Sequence, residues 1–171
     1  MPALCLDFDG TIRQSKSGKK FIEGPGDIEL IGNIDTLIWK FRNSGWLIFG
    51  ISNQSSVAFG FTSPATIDNE MEATLELFDK NPFHEVRYCF FNEKGNVYPF
   101  KYRSLLRKPN TGMLACMEEA SWKKGCVVDW DKSLFVGDRP EDEQCAQEAG
   151  IRFLHINDFL KIRDTDIITV L

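Results

Sequence analysis

The feature that most constrains this chain is the alternation of short apolar runs with longer amphipathic stretches. Continuous apolar runs are typical of parallel strands covered on both faces, and they predict strands at 3–8, 46–52, 86–91, 133–136 and 152–156. Apolar spacing, capping residues and helix-start prolines predict helices at 27–44, 65–79, 113–124 and 141–149. Strands that alternate with helices of this length form right-handed βαβ units. We therefore predict an α/β fold with a mostly parallel central sheet.

Length and composition agree with one domain of this kind. The 171 residues contain no repeat or linker-like boundary, so we predict a single domain over 1–171, a Rossmann-like three-layer sandwich. The net charge of −5 argues against a protein that coats polyanions. The longest apolar run, 46–51, is too short for a membrane span, and the N-terminus lacks the pattern of a signal peptide. We expect a cytoplasmic monomer with no membrane partner.

Acidic residues follow two of the predicted strands. Asp7 and Asp9 end the first strand, and the period of a strand turns both carboxylates to the same side. Asp138 and Asp142 follow the fourth strand. Because ligands of such sheets bind beyond the carboxyl ends of the strands, these carboxylates should converge. Carboxylate oxygens are the ligands that Mg²⁺ prefers, and Mg²⁺ usually leaves positions for a substrate phosphate.

Groups suited to phosphate follow the other strand ends. Ser52 and Asn53 end the second strand with a hydroxyl and backbone amides, and Lys108 supplies a cation just before a helix N-terminus. In a phosphotransfer site of this kind, one carboxylate attacks phosphorus, and a second protonates the leaving oxygen and later activates water. The competing interpretation is that these residues cap helices and turns.

The whole pattern resembles the haloacid dehalogenase (HAD) superfamily of phosphohydrolases. Four motifs match in order and spacing: Asp-x-Asp-Gly-Thr at 7–11, the strand-ending Ser52, Lys108, and Gly-Asp-x-x-x-Asp at 137–142. The resemblance implies Asp7 as the nucleophile and Asp9 as the general acid and base. It implies a phosphate site from Ser52, Asn53 and Lys108, and Mg²⁺ held by Asp7, Asp138 and the carbonyl of Asp9. Asp142 and Thr11 would orient these groups without contacting the substrate.

Within the superfamily the chain is similar to the small capless group, subfamily IIIA. That group includes heptose-bisphosphate, histidinol-phosphate and polynucleotide 3′-phosphatases, and the match rests on Ser-Asn-Gln-Ser at 52–55 and Arg-Lys-Pro at 107–109. The gaps on either side of Ser52 leave no room for a large cap domain. We therefore expect an open mouth.

One loop departs from the heptose-bisphosphate phosphatase pattern. Many of those enzymes bind zinc through Cys-x-His and Cys-x-Cys, where this chain has Cys89 and Phe91, then Ser104 and Leu106. A lone thiolate does not hold tetrahedral zinc, so we expect no structural zinc. Aromatic packing should order the loop instead, through Phe90, Phe91, Tyr98, Phe100 and Tyr102.

Two basic loops bear on the substrate. Residues 12–22 contain four basic side chains and no acidic one, and residues 92–108 contain five basic side chains and one acidic one. We expect Arg107 and Lys20 to bind the part of the substrate remote from the scissile phosphate. A small phosphorylated metabolite such as a sugar bisphosphate is the favoured substrate. A nucleic-acid 3′ end is the alternative, and a non-catalytic phosphate-binding protein is the alternative of another class.

Overall fold

A computed structural model describes residues 1–162 and contains a parallel sheet flanked by helices. Its strands are β1 (Ala3–Leu6), β2 (Arg13–Ser15), β3 (Ile28–Leu30), β4 (Leu47–Asn53), β5 (Glu85–Cys89), β6 (Leu134–Gly137) and β7 (Arg152–His155). Its α-helices are α1 (Ile34–Asn43), α2 (Pro64–Glu76), α3 (Gly112–Lys123), α4 (Pro140–Glu148) and α5 (Ile156–Phe159). The five predicted strands are confirmed to within two residues at each end. The last part of the predicted domain, 163–171, lies outside the described residues.

The main sheet has the order β5-β4-β1-β6-β7, and every pairing in it is parallel. The chain moves outward from β1 to β4 and β5, then returns to the other side of β1 for β6 and β7. The direction of winding therefore reverses between β1 and β6. In open α/β sheets this reversal leaves a crevice at the carboxyl ends of the strands, where ligands bind.

Two apolar layers cover the sheet, and alternate residues of β1 point into each. Leu4 and Leu6 pack with buried residues of α1, α2 and α5, whereas Ala3 and Cys5 pack with residues of α3 and α4. All four β1 side chains are fully buried. The predicted three-layer α/β sandwich is confirmed.

The predicted helix over 27–44 is wrong in its first part. Ile28–Leu30 forms β3, which pairs antiparallel with Arg13–Ser15, and the helix begins only at Ile34. Ile28 and Ile31 have helical spacing, but Gly32 has a left-handed φ of 55°, which ends the strand segment before the helix begins. The other three predicted helices agree with α2, α3 and α4 to within three residues. Ser63 caps α2 by accepting a hydrogen bond from the backbone N–H of Thr66.

Aromatic side chains order the loop between β5 and α3, as predicted. The ring of Phe100 packs edge-on against Phe90 and Phe91, with centroid distances of 5.7 and 5.6 Å. Within the described residues, the helices are too short and too polar for any of them to cross a membrane.

Candidate active site

Three buried ionisable side chains form the floor of the cleft at the winding reversal. Lys108 Nζ lies 2.5 Å from Asp7 Oδ1 and 2.6 Å from Asp142 Oδ1. The side chains of all three residues are at most 6% exposed. Asp7 follows β1, Asp142 lies in the first turn of α4, and Lys108 arrives from the loop before α3. A buried ammonium between two carboxylates removes most of the cost of burying each charge separately.

Two glycines allow the acidic segments to approach this closely. A Cβ at Gly10 would lie 2.4 Å from Asp138 Oδ2, and Gly10 also has a left-handed φ of 89°. A Cβ at Gly137 would lie 2.4 Å from the Cβ of Asp142. A larger residue at Gly10 would push the β1 loop away from the β6 loop, and a larger residue at Gly137 would push the start of α4 away from β6.

The end of β4 fixes the position of Lys108. The Asn53 side chain donates to the backbone carbonyl of Lys108 and accepts from its backbone N–H, each at 3.0 Å. Ser52 is buried, and its Oγ accepts from Gln54 Nε2 at 2.8 Å. Ser52 and Asn53 both line the cleft. The structure therefore brings the predicted phosphate-binding residues together, with Asn53 also holding the loop backbone.

Both oxygens of the Asp9 carboxylate accept hydrogen bonds from side chains. Its Oδ1 accepts from Arg13 Nε at 2.7 Å, and its Oδ2 accepts from Gln54 Nε2 at 2.6 Å. Asp9 lines the cleft, and its side chain is about one third exposed. The carboxylate is accessible from the cleft, and donors on both oxygens set its orientation.

Burial and neighbouring charge shift the proton affinities of the floor. Burial raises the pKa of Asp7, Asp142 and Asp9 raise it further, and the Lys108 ammonium acts in the opposite direction. Burial alone would lower the pKa of Lys108, but Asp7 and Asp142 raise it above its usual value. Burial also raises the pKa of Asp138. The floor carries more negative charge than one lysine offsets, and it is therefore an environment that favours a cation.

The carboxylates fit a divalent cation. Asp7, Asp138 and Asp142 each offer an oxygen, and these oxygens lie within 4.8 Å of one another. Among the described residues, the buried Oδ1 of Asp138 has no hydrogen-bond partner. The buried Oγ1 of Thr11 also has no hydrogen-bond partner among these residues. An oxygen ligand set with an unsatisfied member is the chemistry that Mg²⁺ binds.

The two residues predicted to select the substrate lie outside the group that lines the cleft. Arg107 is half-buried and donates from Nη1 to Ser55 Oγ, whereas Lys20 is exposed, with Nζ 5.4 Å from the centre of the Phe21 ring. The cleft is lined instead by two residues that the sequence analysis missed, Arg139 and Glu141. Both lie inside the Gly-Asp-x-x-x-Asp motif, so their place directly after a strand was the available signal.

Comparison with known proteins agrees with this geometry. The family described as Polynucleotide kinase 3 phosphatase matches residues 3–159. A D-glycero-beta-D-manno-heptose-1,7-bisphosphate 7-phosphatase from Mesorhizobium japonicum is 32% identical over 157 residues, which cover 88% of this chain and 67% of the relative.

Two solved structures have the same fold. A HAD-like phosphatase from Mesorhizobium loti superposes with a TM-score of 0.76 at 27% identity, covering 99% of this chain and 87% of that one. A D,D-heptose 1,7-bisphosphate phosphatase from B. bronchiseptica, crystallised with magnesium and phosphate, has a TM-score of 0.69 at 21% identity, covering 90% of this chain and 79% of that one. The family match spans nearly every described residue, including all four motifs. The chain belongs to the polynucleotide kinase 3 phosphatase family, within the HAD-type phosphatases of subfamily IIIA.

Proposed function

We propose that this phosphatase is a Mg²⁺-dependent phosphomonoesterase that works through an aspartyl-phosphate on Asp7. The observation that carries the proposal is the position of the Asp7 carboxylate, at the cleft floor beside the Lys108 ammonium and near two further carboxylates. A carboxylate is a weak nucleophile, so it needs nearby positive charge to approach a phosphate dianion. Lys108 supplies part of that charge from within the protein.

The two predicted catalytic carboxylates divide the reaction between them. An oxygen of Asp7 attacks phosphorus, and the bond to the leaving oxygen breaks as Asp9 gives that oxygen a proton. Water then attacks the phosphorus of the aspartyl-phosphate while Asp9 takes a proton from the water, which releases phosphate and restores Asp7. Ser52 and Lys108 hold the phosphate oxygens in both steps. The accessible position of Asp9 supports its role, because a purely binding protein has no need of an acid there.

Asp7, Asp138 and the backbone carbonyl of Asp9 would hold Mg²⁺. The ion, when bound, supplies positive charge that offsets the repulsion between the phosphate and the carboxylates. Asp142 is already occupied by Lys108 and by the backbone N–H of Arg139, at 3.1 Å from its Oδ2. Asp142 therefore orients the other groups, whereas the buried Thr11 hydroxyl has no hydrogen-bond partner among the described residues through which to do so.

Trapping the covalent intermediate tests this mechanism. Wild-type protein mixed with a ³²P-labelled phosphate ester and Mg²⁺ should retain label after an acid quench. Asp7→Asn should retain none, and Asp35→Asn, which changes an exposed carboxylate on α1, should behave as wild type. Label on the Asp7→Asn variant, or turnover unchanged in that variant, would contradict the nucleophile assignment. Elemental analysis should find little zinc in the purified protein, and stoichiometric zinc would contradict the expected loop chemistry.

The favoured substrate is a small metabolite with a second anionic group. Support comes from the basic loops at 12–22 and 92–108 and from a relative that carries the name of a bisphosphate phosphatase. In this proposal Arg107 and Lys20 contact the second anionic group, and Arg139 at the cleft wall contributes a further positive charge.

A nucleic-acid 3′ end is the second candidate. The family match favours it, and so do Tyr98 and Tyr102, which are 75% and 51% exposed on the basic loop, where their rings are available to stack on bases. Assay of sugar phosphates, amino-alcohol phosphates and 3′-phosphorylated oligonucleotides at two salt concentrations separates the candidates. A metabolite phosphatase loses little kcat/KM as salt rises, whereas an enzyme that contacts several nucleic-acid phosphates loses activity on oligonucleotides steeply.

A further inference from the structure

Arg13 is a buried cation that the proposed chemistry leaves without a role. Its side chain is 1% exposed, and it is the largest fully buried side chain among the described residues. Its guanidinium lies 5.7 Å from the centre of the Phe8 ring. An apolar side chain of similar length would fill this space without the cost of burying a charge, so stability alone does not account for an arginine here.

The contacts of Arg13 connect the cleft to a helix far along the chain. Nε donates to Asp9 Oδ1 at 2.7 Å, and Nη1 donates to the Glu70 carbonyl at 2.9 Å and to Thr74 Oγ1 at 2.7 Å. The Thr74 hydroxyl donates in turn to the same Glu70 carbonyl, at 2.7 Å. Arg13 Nε and Nη1 are therefore held by partners on two different segments of the chain, which fixes the plane of the guanidinium.

A fixed guanidinium determines where the Asp9 carboxylate points. Asp9 lies in the loop after β1, where its side chain is about one third exposed and could otherwise rotate. Arg13, which lies on β2 and is anchored on α2, donates to one carboxylate oxygen. Gln54, just after β4, donates to the other oxygen and also to Ser52 Oγ. The carboxylate is thus oriented relative to the residue that is proposed to hold the phosphate.

We propose that Arg13 is a positioning residue, which aims Asp9 at the leaving oxygen through an anchor on α2. This inference rests on the proposed role of Asp9 as general acid. Misaimed proton transfer matters most when the leaving oxygen is strongly basic, because such an oxygen leaves only with a proton. A nitrophenolate leaves almost as well without one. Loss of Arg13 therefore has a signature that loss of folding or of phosphate binding does not have.

The test compares 4-nitrophenyl phosphate with glycerol 2-phosphate, an alkyl ester, in Arg13→Met. We expect kcat/KM for the alkyl ester to fall by about 30- to 100-fold, and kcat/KM for the nitrophenyl ester to fall by less than about 3-fold. This ratio reports the departure of the leaving oxygen and not the later attack of water, in which Asp9 acts on the same aspartyl-phosphate for both esters. Equal losses for the two esters would overturn the proposal, as would full activity on both.

A second pair of variants keeps the test independent of how well Arg13→Met folds. Thr74→Val removes the hydroxyl that anchors Nη1 while leaving Arg13 in place, and Thr74→Ser retains the hydroxyl as its control. We expect a smaller loss confined to the alkyl ester in Thr74→Val, about 3- to 10-fold, and none in Thr74→Ser. Equal losses on both esters in Thr74→Val, or no loss at all, would count against the anchor.

Asp9→Asn, measured on the same two esters, separates this inference from the proposed function. If Asp9→Asn lowers kcat/KM only for the alkyl ester while Arg13→Met lowers kcat/KM equally for both esters, the positioning role fails and the acid role stands. If Asp9→Asn lowers kcat/KM equally for both esters, the acid role fails and the Arg13 proposal fails with it.

Discussion

The floor of the cleft and the exposed or half-buried side chains of the two basic loops at 12–22 and 92–108, which we call the rim, are held in different ways. On the floor, Asp7, Lys108 and Asp142 are buried and joined by two ion pairs of 2.5 and 2.6 Å. On the rim, Lys20 is exposed beside Phe21, and Tyr98 and Tyr102 are exposed on the loop before α3. Groups on the floor constrain one another through these ion pairs, whereas the rim groups form separate contacts, Lys20 with Phe21 and Tyr98 with Tyr102. We infer that the floor carries the reaction and the rim carries the choice of substrate.

Removing the cation from the floor should have the largest effect. Lys108→Met leaves Asp7 and Asp142 buried together without a counter-ion, so we expect a loss of about 3–5 kcal/mol in the free energy of unfolding. Activity should fall by about 10³-fold, because a charge that contacts the phosphate is lost. Urea denaturation and steady-state kinetics measure the two effects. Lys123→Met, which breaks an exposed pair with Glu119, should change stability by less than about 1 kcal/mol.

Asp138 lies outside the two Lys108 ion pairs, so changing it should affect metal binding and leave the floor intact. In Asp138→Asn we expect the Mg²⁺ concentration for half-maximal activity to rise by about 10²-fold while the free energy of unfolding stays near that of wild type. A Mg²⁺ titration of activity, with thermal melting in chelator, measures both quantities. An unchanged Mg²⁺ requirement would remove Asp138 from the ligand set.

Changes on the rim should alter substrate binding and leave the chemical step intact. Arg107→Ala and Lys20→Ala should each raise KM for a substrate with two anionic groups by about 10-fold, with kcat little changed. The exposed Lys80→Ala, outside both basic loops, is the control. On oligonucleotides, the contrary result is a steep fall of kcat/KM with salt, in which each rim variant reduces the slope of log kcat/KM against log salt concentration by about one unit. That result would replace the metabolite with the 3′-end substrate.

The smallest effect concerns stability against pH in chelator. Burial raises the pKa of Asp7 from 3.8 to about 7, so the folded protein holds a proton that the unfolded chain releases. This contribution to stability is complete below the unfolded value and is lost as pH rises through about 7. The melting temperature of the wild type should therefore fall across this range, by about 2–4 °C for each kcal/mol lost from the free energy of unfolding. The melting temperature of Asp7→Asn should fall less. A steeper decline in the variant would show that folding does not raise the pKa of Asp7.

The same contrast explains what could be predicted from the sequence. Asp7, Ser52 and Asp138 were predictable as one site because the parallel topology brings the ends of their strands to one edge, and Lys108 because its place matches the order of the family's motifs. The pairing of Arg13 with Asp9 was not predictable, since the other end of Arg13 depends on α2, whose Thr74 lies 61 positions further along the chain. Arg139 was missed because the motif specifies only its glycine and aspartates, although the place of Arg139 just after β6 was a signal.

Local structure in the segment before α1 shows another limit. Ile28 and Ile31 have the spacing of a helix, whereas Ile28 and Leu30 have the spacing of a strand, so only the partner strand decides between them. That partner, Arg13–Ser15, is short and polar, with no strand signal of its own.

The Asp7–Lys108 contact joins residues 101 positions apart, and this separation has a kinetic consequence. Closing so long a stretch of chain is slow, and the phosphate site forms only when the segment before α3 has docked beside β1 and α4. A phosphate ion in the cleft therefore stabilises the native protein and not the transition state for folding, if docking comes last. Such an ion would slow unfolding and leave the refolding rate unchanged, so resistance to unfolding would rise with the supply of product.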